Sequence, residues 1–104
     1  LQRGVRFPQG PPFMAYFVYM LLSKHKDKLI SYVGYTNNLK KRLSLHNASK
    51  GAKFTKGKRW SIIYQQEYLN KSKAMKDEYK LKKDYKLRNQ IKNNFINKWK
   101  KKYL

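Results

Sequence analysis

Residues 15–22, Ala-Tyr-Phe-Val-Tyr-Met-Leu-Leu, form an unbroken run of aromatic, β-branched and aliphatic side chains. A short apolar run bounded by polar residues predicts a buried strand. Polar residues 23–28 then supply a turn, and residues 29–34 complete a hairpin. Gly34 is expected to end the second strand where the chain turns or approaches a ligand closely. Beyond it, Asn37 or Asn38 is placed to cap a helix over 39–48, in which Leu39, Leu43 and His46 recur at intervals of four and three. Residues 50–59 read as a basic, glycine-containing loop, and 60–68 as a third strand around Ile62-Ile63-Tyr64. Ser72 is placed to cap a second helix with Ala74, Glu78 and Leu81 on one face, Met75 and Tyr79 beside them. Asp84 is placed to cap a third, where Leu87, Ile91, Phe95 and Trp99 repeat every four residues as a core-facing stripe. The order ββαβαα predicts a small α/β domain, a three-stranded antiparallel sheet flanked by three helices, without internal repeat or linker.

Residues 1–13 differ from this pattern: they hold all three prolines and no apolar period, and read as an extended leader. The Gln9-Gly10-Pro11 step resembles the remnant of a protease site used in recombinant expression. Residues 14–104 are therefore expected to be the native domain, beginning at Met14. A chain of 104 residues has room for one core. With no cysteine, disulfides and thiolate-bound zinc are excluded, and only His25 and His46 remain as imidazole ligands, so a catalytic metal would have to sit on oxygen. No apolar run approaches the roughly 20 residues of a membrane span, which makes an intracellular protein the expectation.

Charge narrows the choice of partner. Lys and Arg number 26 against 5 Asp and Glu, a formal net charge of +21. An A- and T-rich genome would inflate Lys, Asn, Ile and Tyr, but it would inflate Glu as well, and Glu stands only at 67 and 78. Domain-wide positive charge is the electrostatic footprint of phosphate binding, so nucleic acid is favoured over a membrane surface. Charge alone would suit a structural protein of a ribonucleoprotein particle equally well.

Three short stretches carry chemistry beyond charge. Phe17-Val18-Tyr19 lies on the first strand and Tyr32-Val33-Gly34 on the second. Arg42 and His46, four residues apart, share one face of the first helix, so that a guanidinium and an imidazole point at the same spot. Each residue has an ordinary reading in isolation: the tyrosines as two of nine in the chain, Arg42 as a solvated helix residue, His46 as a helix-end cation, Glu78 as an i,i+4 partner of Lys82. Their joint order and spacing, together with Gly51-Ala52-Lys53-Phe54-Thr55-Lys56 and the helix around Ala74 to Lys83, resemble the GIY-YIG nuclease domain in its small stand-alone form. Phenylalanine replaces the leading glycine of the first motif. The asparagine that follows the glutamate in some members is not singled out, although Asn89 and Asn93 are available.

The resemblance implies a metal-dependent endonuclease hydrolysing DNA phosphodiesters, with Tyr19, Tyr32, Arg42, His46 and Glu78 as the catalytic set and Glu78 as ligand of Mg²⁺ or Mn²⁺. Such an ion keeps several waters and needs only one or two carboxylates, which makes a solitary Glu78 chemically sufficient. Asp27, Glu67 and Asp77 are not expected to join it. Arg42 is suited to hold the phosphate through its planar fork. By resemblance Tyr19 positions or deprotonates the water, with His46 as rival base or relay. Lys40, Lys41, Lys53, Lys56, Lys58 and Arg59 are expected to track the phosphates, DNA being favoured over RNA by the resemblance alone. A bare catalytic core leaves a place for a specificity-giving protein partner. The alternative is a non-catalytic basic nucleic-acid-binding protein that retains the fold.

Overall fold

A computed structural model describes residues 15–103. The expected leader at 1–13 and the start at Met14 lie outside the described residues. Strand β1 runs Tyr16–His25 and β2 Lys28–Thr36, followed by helix α1 at Leu39–Asn47, a 3-10 turn at Lys53–Thr55, β3 at Ser61–Tyr68, α2 at Lys71–Lys83 and α3 at Tyr85–Tyr103. The sheet is antiparallel throughout, in the order β2-β1-β3. This is the ββαβαα domain that the polarity pattern predicts.

The hairpin is tighter than the pattern suggests. Its polar turn shrinks to Lys26 and Asp27, both with positive φ (52° and 65°), which is the two-residue turn whose twist matches antiparallel strands. The ladder therefore runs out to His25 opposite Lys28. Backbone pairing continues for three residues after the apolar side chains have ended. Gly34 likewise does not end β2; it sits within the strand opposite Tyr19. A Cβ on Gly34 would lie 2.5 Å from the Tyr19 hydroxyl oxygen, so the close approach is made by that phenol.

Alternation along the central strand divides the interior in two. Val18 and Met20 pack with Val33, Ala74 and Leu81, while Tyr19 and Leu21 pack with Trp60 on the other side, backed by Leu39, Leu43 and Tyr32. Truncating a fully buried side chain such as Leu21 to alanine costs about 2–5 kcal/mol through lost burial and the cavity left behind. At β3 the register slips between Met20 and Leu21, which face Tyr64 and Ile62, so Ile63 is the extra residue of a bulge. The bulge breaks the alternation of β3 and lets Ile63 and Tyr64 both lean on the Val18 side.

Two helix expectations need correction. The cap of α2 is Asn70, whose side chain accepts the Lys73 backbone N–H at 3.0 Å; Ser72 already lies inside the helix. Helix α3 does begin on Asp84, whose carboxylate accepts the Leu87 N–H at 3.0 Å. Its apolar stripe, however, is only partly covered: Ile91 joins the core, while Leu87 and Trp99 stay 40% and 48% exposed. Helix α3 packs mainly against α2 and the edge strand β3, which leaves much of its stripe uncovered. No helix among the described residues is long and apolar enough to cross a membrane.

Candidate active site

Helix α1 starts on Asn38, whose side chain accepts the Lys41 N–H at 3.0 Å, while Thr36 Oγ1 accepts the N–H of Asn38 itself at 3.1 Å. This fixes the helix relative to the end of β2 and turns Arg42 and His46 toward the sheet. The helix ends in a Schellman motif: Lys50 N–H bonds Leu45 O at 2.8 Å and Ser49 N–H bonds His46 O at 3.1 Å. Ser49 takes the left-handed conformation (φ 61°) usually given to glycine, and its hydroxyl accepts the Gly57 N–H at 2.9 Å. Asn47 exchanges two hydrogen bonds with the Trp60 backbone, and the Trp60 indole donates to Thr55 O at 3.0 Å. The loop after α1 is thereby folded back under the helix.

That loop completes a chain of hydrogen bonds through the buried interior. Tyr19 Oη lies 2.9 Å from His46 Nε2, His46 Nδ1 lies 2.8 Å from Thr55 Oγ1, and Thr55 Oγ1 donates to Ala52 O at 2.8 Å. The direction of each bond follows by counting hydrogens. The single hydroxyl proton of Thr55 is committed to the carbonyl, so its oxygen must accept from Nδ1–H. Nε2 is then bare and accepts the proton of the Tyr19 phenol. His46 is 0% exposed, and its ring lies so close to Gly51 that a Cβ there would be 2.5 Å from Nδ1.

Electrostatics agree with a neutral pair at rest. Burial, more than the positive Arg42 nearby, lowers the His46 pKa below 6.5. Burial raises the Tyr19 pKa above 10; a hydrogen bond from Arg42 opposes it, and Tyr32 and Glu78 add smaller upward pushes. Those influences place Arg42, Tyr32 and Glu78 all within electrostatic reach of one phenol oxygen. The Tyr19 and Tyr32 ring centres are 6.5 Å apart, and Tyr32 stands 5.0 Å from the His46 ring. Among the described residues, nothing accepts a hydrogen bond from the buried Arg42 Nε. A buried guanidinium donor left unpaired costs free energy unless something accepts from it, and an anionic oxygen is the natural acceptor.

Glu78 stands on α2 in an ion pair with Lys82, 2.9 Å between Nζ and Oε2, and is 15% exposed at its side chain. The pair is the i,i+4 contact expected of these residues in isolation, and it raises the Lys82 pKa. Among the described residues no group of three or more His, Asp or Glu gathers to hold a metal. Asp77, next in the chain, is turned away and accepts the Tyr68 hydroxyl at 2.6 Å, which raises the Tyr68 pKa after the larger effect of burial. A single, largely buried carboxylate suits a hard divalent ion that keeps most of its waters, with Lys82 giving up the oxygen that the ion would take. Lys40, Lys41, Lys53, Lys56 and Arg59 are exposed, while Lys58 is half-buried, bonding Phe54 O at 3.2 Å.

Tyr19, Tyr32 and His46 are thus in direct contact, with Arg42 and Glu78 near enough to act electrostatically on the Tyr19 phenol. Thr55 and Gly51 had no separate role in the sequence reading, although both belong to the run 51–56. Their only sequence signal is a small residue and a hydroxyl shortly after His46, which says nothing of the backward fold of the loop. Lys82 was legible as the Glu78 partner but not as part of the site.

The fold is that of a known class: the sequence model of the GIY-YIG catalytic domain matches residues 15–94. The protein belongs to the GIY-YIG family. Among its curated relatives are the UPF0213 protein OB0043 of Oceanobacillus iheyensis, 43% identical over 68 residues that span 64% of this chain and 76% of that one. The UPF0213 protein SH2523 of Staphylococcus haemolyticus is 45% identical over 65 residues, covering 62% and 78% of the two chains. The UPF0213 protein YazA of Bacillus subtilis is 47% identical over 53 residues, covering 50% and 54%. No solved structure matches the chain.

Proposed function

We propose that the protein is a metal-dependent endonuclease that hydrolyses DNA phosphodiester bonds at this site. The observation that carries the reading is the buried Nε of Arg42, without a partner among the described residues, beside the Tyr19–His46 pair. It offers a donor for a phosphoryl oxygen beside a phenol already wired to a proton acceptor.

The residues divide the work as follows. Arg42 holds the scissile phosphate and opposes the charge that grows on it in the transition state. Tyr19 takes a proton from the attacking water while its own passes to His46 Nε2. His46 acts as relay, since it reaches the water only through the phenol. Its positive charge is then shared with Thr55 through Nδ1–H. The hydroxide oxygen bonds phosphorus, the bond to the 3′ oxygen breaks, and that oxygen leaves to be protonated from solvent. Glu78 would hold a Mg²⁺ or Mn²⁺ ion, which would supply Lewis-acid stabilisation of the charge that develops in the reaction. Tyr32, against both rings, keeps the phenol and imidazole oriented. Lys40, Lys41, Lys53, Lys56, Lys58 and Arg59 attract and align the backbone of the nucleic acid.

A second reading, a basic nucleic-acid-binding protein that keeps the fold without turnover, draws on the Glu78–Lys82 pair, which satisfies the carboxylate without a metal. A plasmid-nicking assay with Mg²⁺ or Mn²⁺ separates the two. The nuclease reading expects nicking by the parent protein and its loss in Glu78→Ala with DNA binding nearly unchanged. An inactive parent under both metals, binding DNA as before, would establish the second reading instead.

A further inference from the structure

We propose that Phe54 is a stacking floor for an unpaired nucleobase, so that the DNA taken by this site carries an unstacked nucleotide beside the scissile phosphate. The location of that phosphate rests on the nuclease reading above; the base site rests on separate observations.

Phe54 lies on the 3-10 turn after α1 and is 53% exposed, although its neighbours on either side of the turn include the fully buried Thr55. Its ring is nearly parallel to that of Tyr32, 19° between planes and 6.3 Å between centres, and lies 6.3 Å from the buried Trp60. The ring is therefore in contact with two aromatics while about half of the residue remains open to solvent. Lys58 Nζ lies 5.4 Å from the ring centre, and the Lys58 ammonium is tied to Phe54 O and Lys56 O. Together Tyr32 and Phe54 line a cleft of about 290 Å³ shared with Ser31, Val33, Lys82 and Arg88. Lys82 in turn pairs with Glu78, so the cleft adjoins the proposed metal ligand.

An isolated exposed aromatic needs no explanation. This one has an aromatic neighbour from the proposed catalytic set, a cation over its ring and two more cations lining the cleft, Lys82 paired with Glu78 and Arg88 bonded to the Leu81 and Lys82 carbonyls. That combination matches a flat π surface joined to an anionic backbone. The chemistry also discriminates: within a duplex both faces of each base are covered by its neighbours, whereas an unpaired nucleotide has a face to offer. Stacking on an aromatic side chain is tolerant of base identity, so the preference is for local strand structure rather than sequence.

The test measures binding without metal, where cleavage does not intervene. Two DNA duplexes of one sequence are compared, one fully paired and one with a single unpaired 2-aminopurine. The proposal expects the parent to favour the second duplex and to quench its fluorescence. Phe54→Leu should lose about tenfold in affinity for that duplex while changing by less than twofold on the paired one. Phe54→Trp should restore both preference and quenching. Equal binding of the two duplexes by the parent, or a Phe54→Leu loss shared by both, overturns the stacking site. Metal-dependent cleavage of both duplexes without dependence on Phe54 would leave the nuclease reading intact and remove this one. Phe54-dependent quenching with no cleavage under any metal would keep the base site and remove the nuclease.

Discussion

A single hydroxyl decides how the central histidine is protonated. Because Thr55 donates to Ala52 O, it can only accept from His46 Nδ1, and the phenol of Tyr19 receives the bare nitrogen it needs. Thr55→Val preserves shape but strands a buried N–H, so chemical denaturation should show a loss of about 1–3 kcal/mol, whereas Thr55→Ser should keep most of the stability. Nitrogen NMR of His46 should report the Nδ1–H tautomer in the parent and in Thr55→Ser; an Nε2–H signal would reverse the proton path. Tyr19, Arg42 and His46 were singled out by their resemblance to the GIY-YIG motifs; helix spacing alone put only Arg42 and His46 on one face. Thr55 was not, because its contact with His46 depends on a loop closed by Trp60 and Ser49, residues whose partners lie far along the chain. Glu78 was read in two ways, as site carboxylate by resemblance and as the i,i+4 partner of Lys82 by spacing, and the ion pair bears out the second.

Elements follow from the polarity pattern where side chains alone determine them. The core of β1 and the helix over α1 were readable in that way. Strand ends were not, since backbone pairing carries the hairpin through polar Lys24 and His25 to a turn of Lys26 and Asp27. The start of α2 was misplaced because Asn70 and Ser72 are both good caps, and only the position of the first helical hydrogen bonds selects between them. Asn70→Ala should therefore cost about 1 kcal/mol in thermal or denaturant unfolding, with Ser72→Ala close to neutral. An equal or larger effect at Ser72 would contradict the assigned helix start. Gly34 is a strand residue kept small by Tyr19, so Gly34→Ala should displace the phenol from His46. The expected destabilisation is about 1–3 kcal/mol by denaturation, with a parallel loss of nicking. Alanine tolerated in both respects would show that the close approach is readily relieved.

At the scale of the whole molecule, buried protonation states and surface charge set the conditions under which the protein works. The folded His46 resists protonation, while the unfolded chain binds that proton near pH 6.5. Its contribution to stability is therefore complete above about pH 6.5 and is lost as pH falls toward the lower folded value. Thermal melts from pH 8 to pH 5 should show this decline, and His46→Gln should flatten it. With a net charge of +21 concentrated partly around the site, engagement of about six phosphates would give a log–log salt slope near −5 for DNA affinity. A slope close to zero would remove the phosphate track. The most direct test of the site as one working unit is the single-turnover cleavage rate of Tyr19→Phe with Mg²⁺, because the substitution removes one oxygen and leaves the packed ring. The rate should fall by about 10²-fold or more with DNA affinity unchanged. Cleavage within twofold of the parent would contradict the proton path from water through Tyr19 to His46.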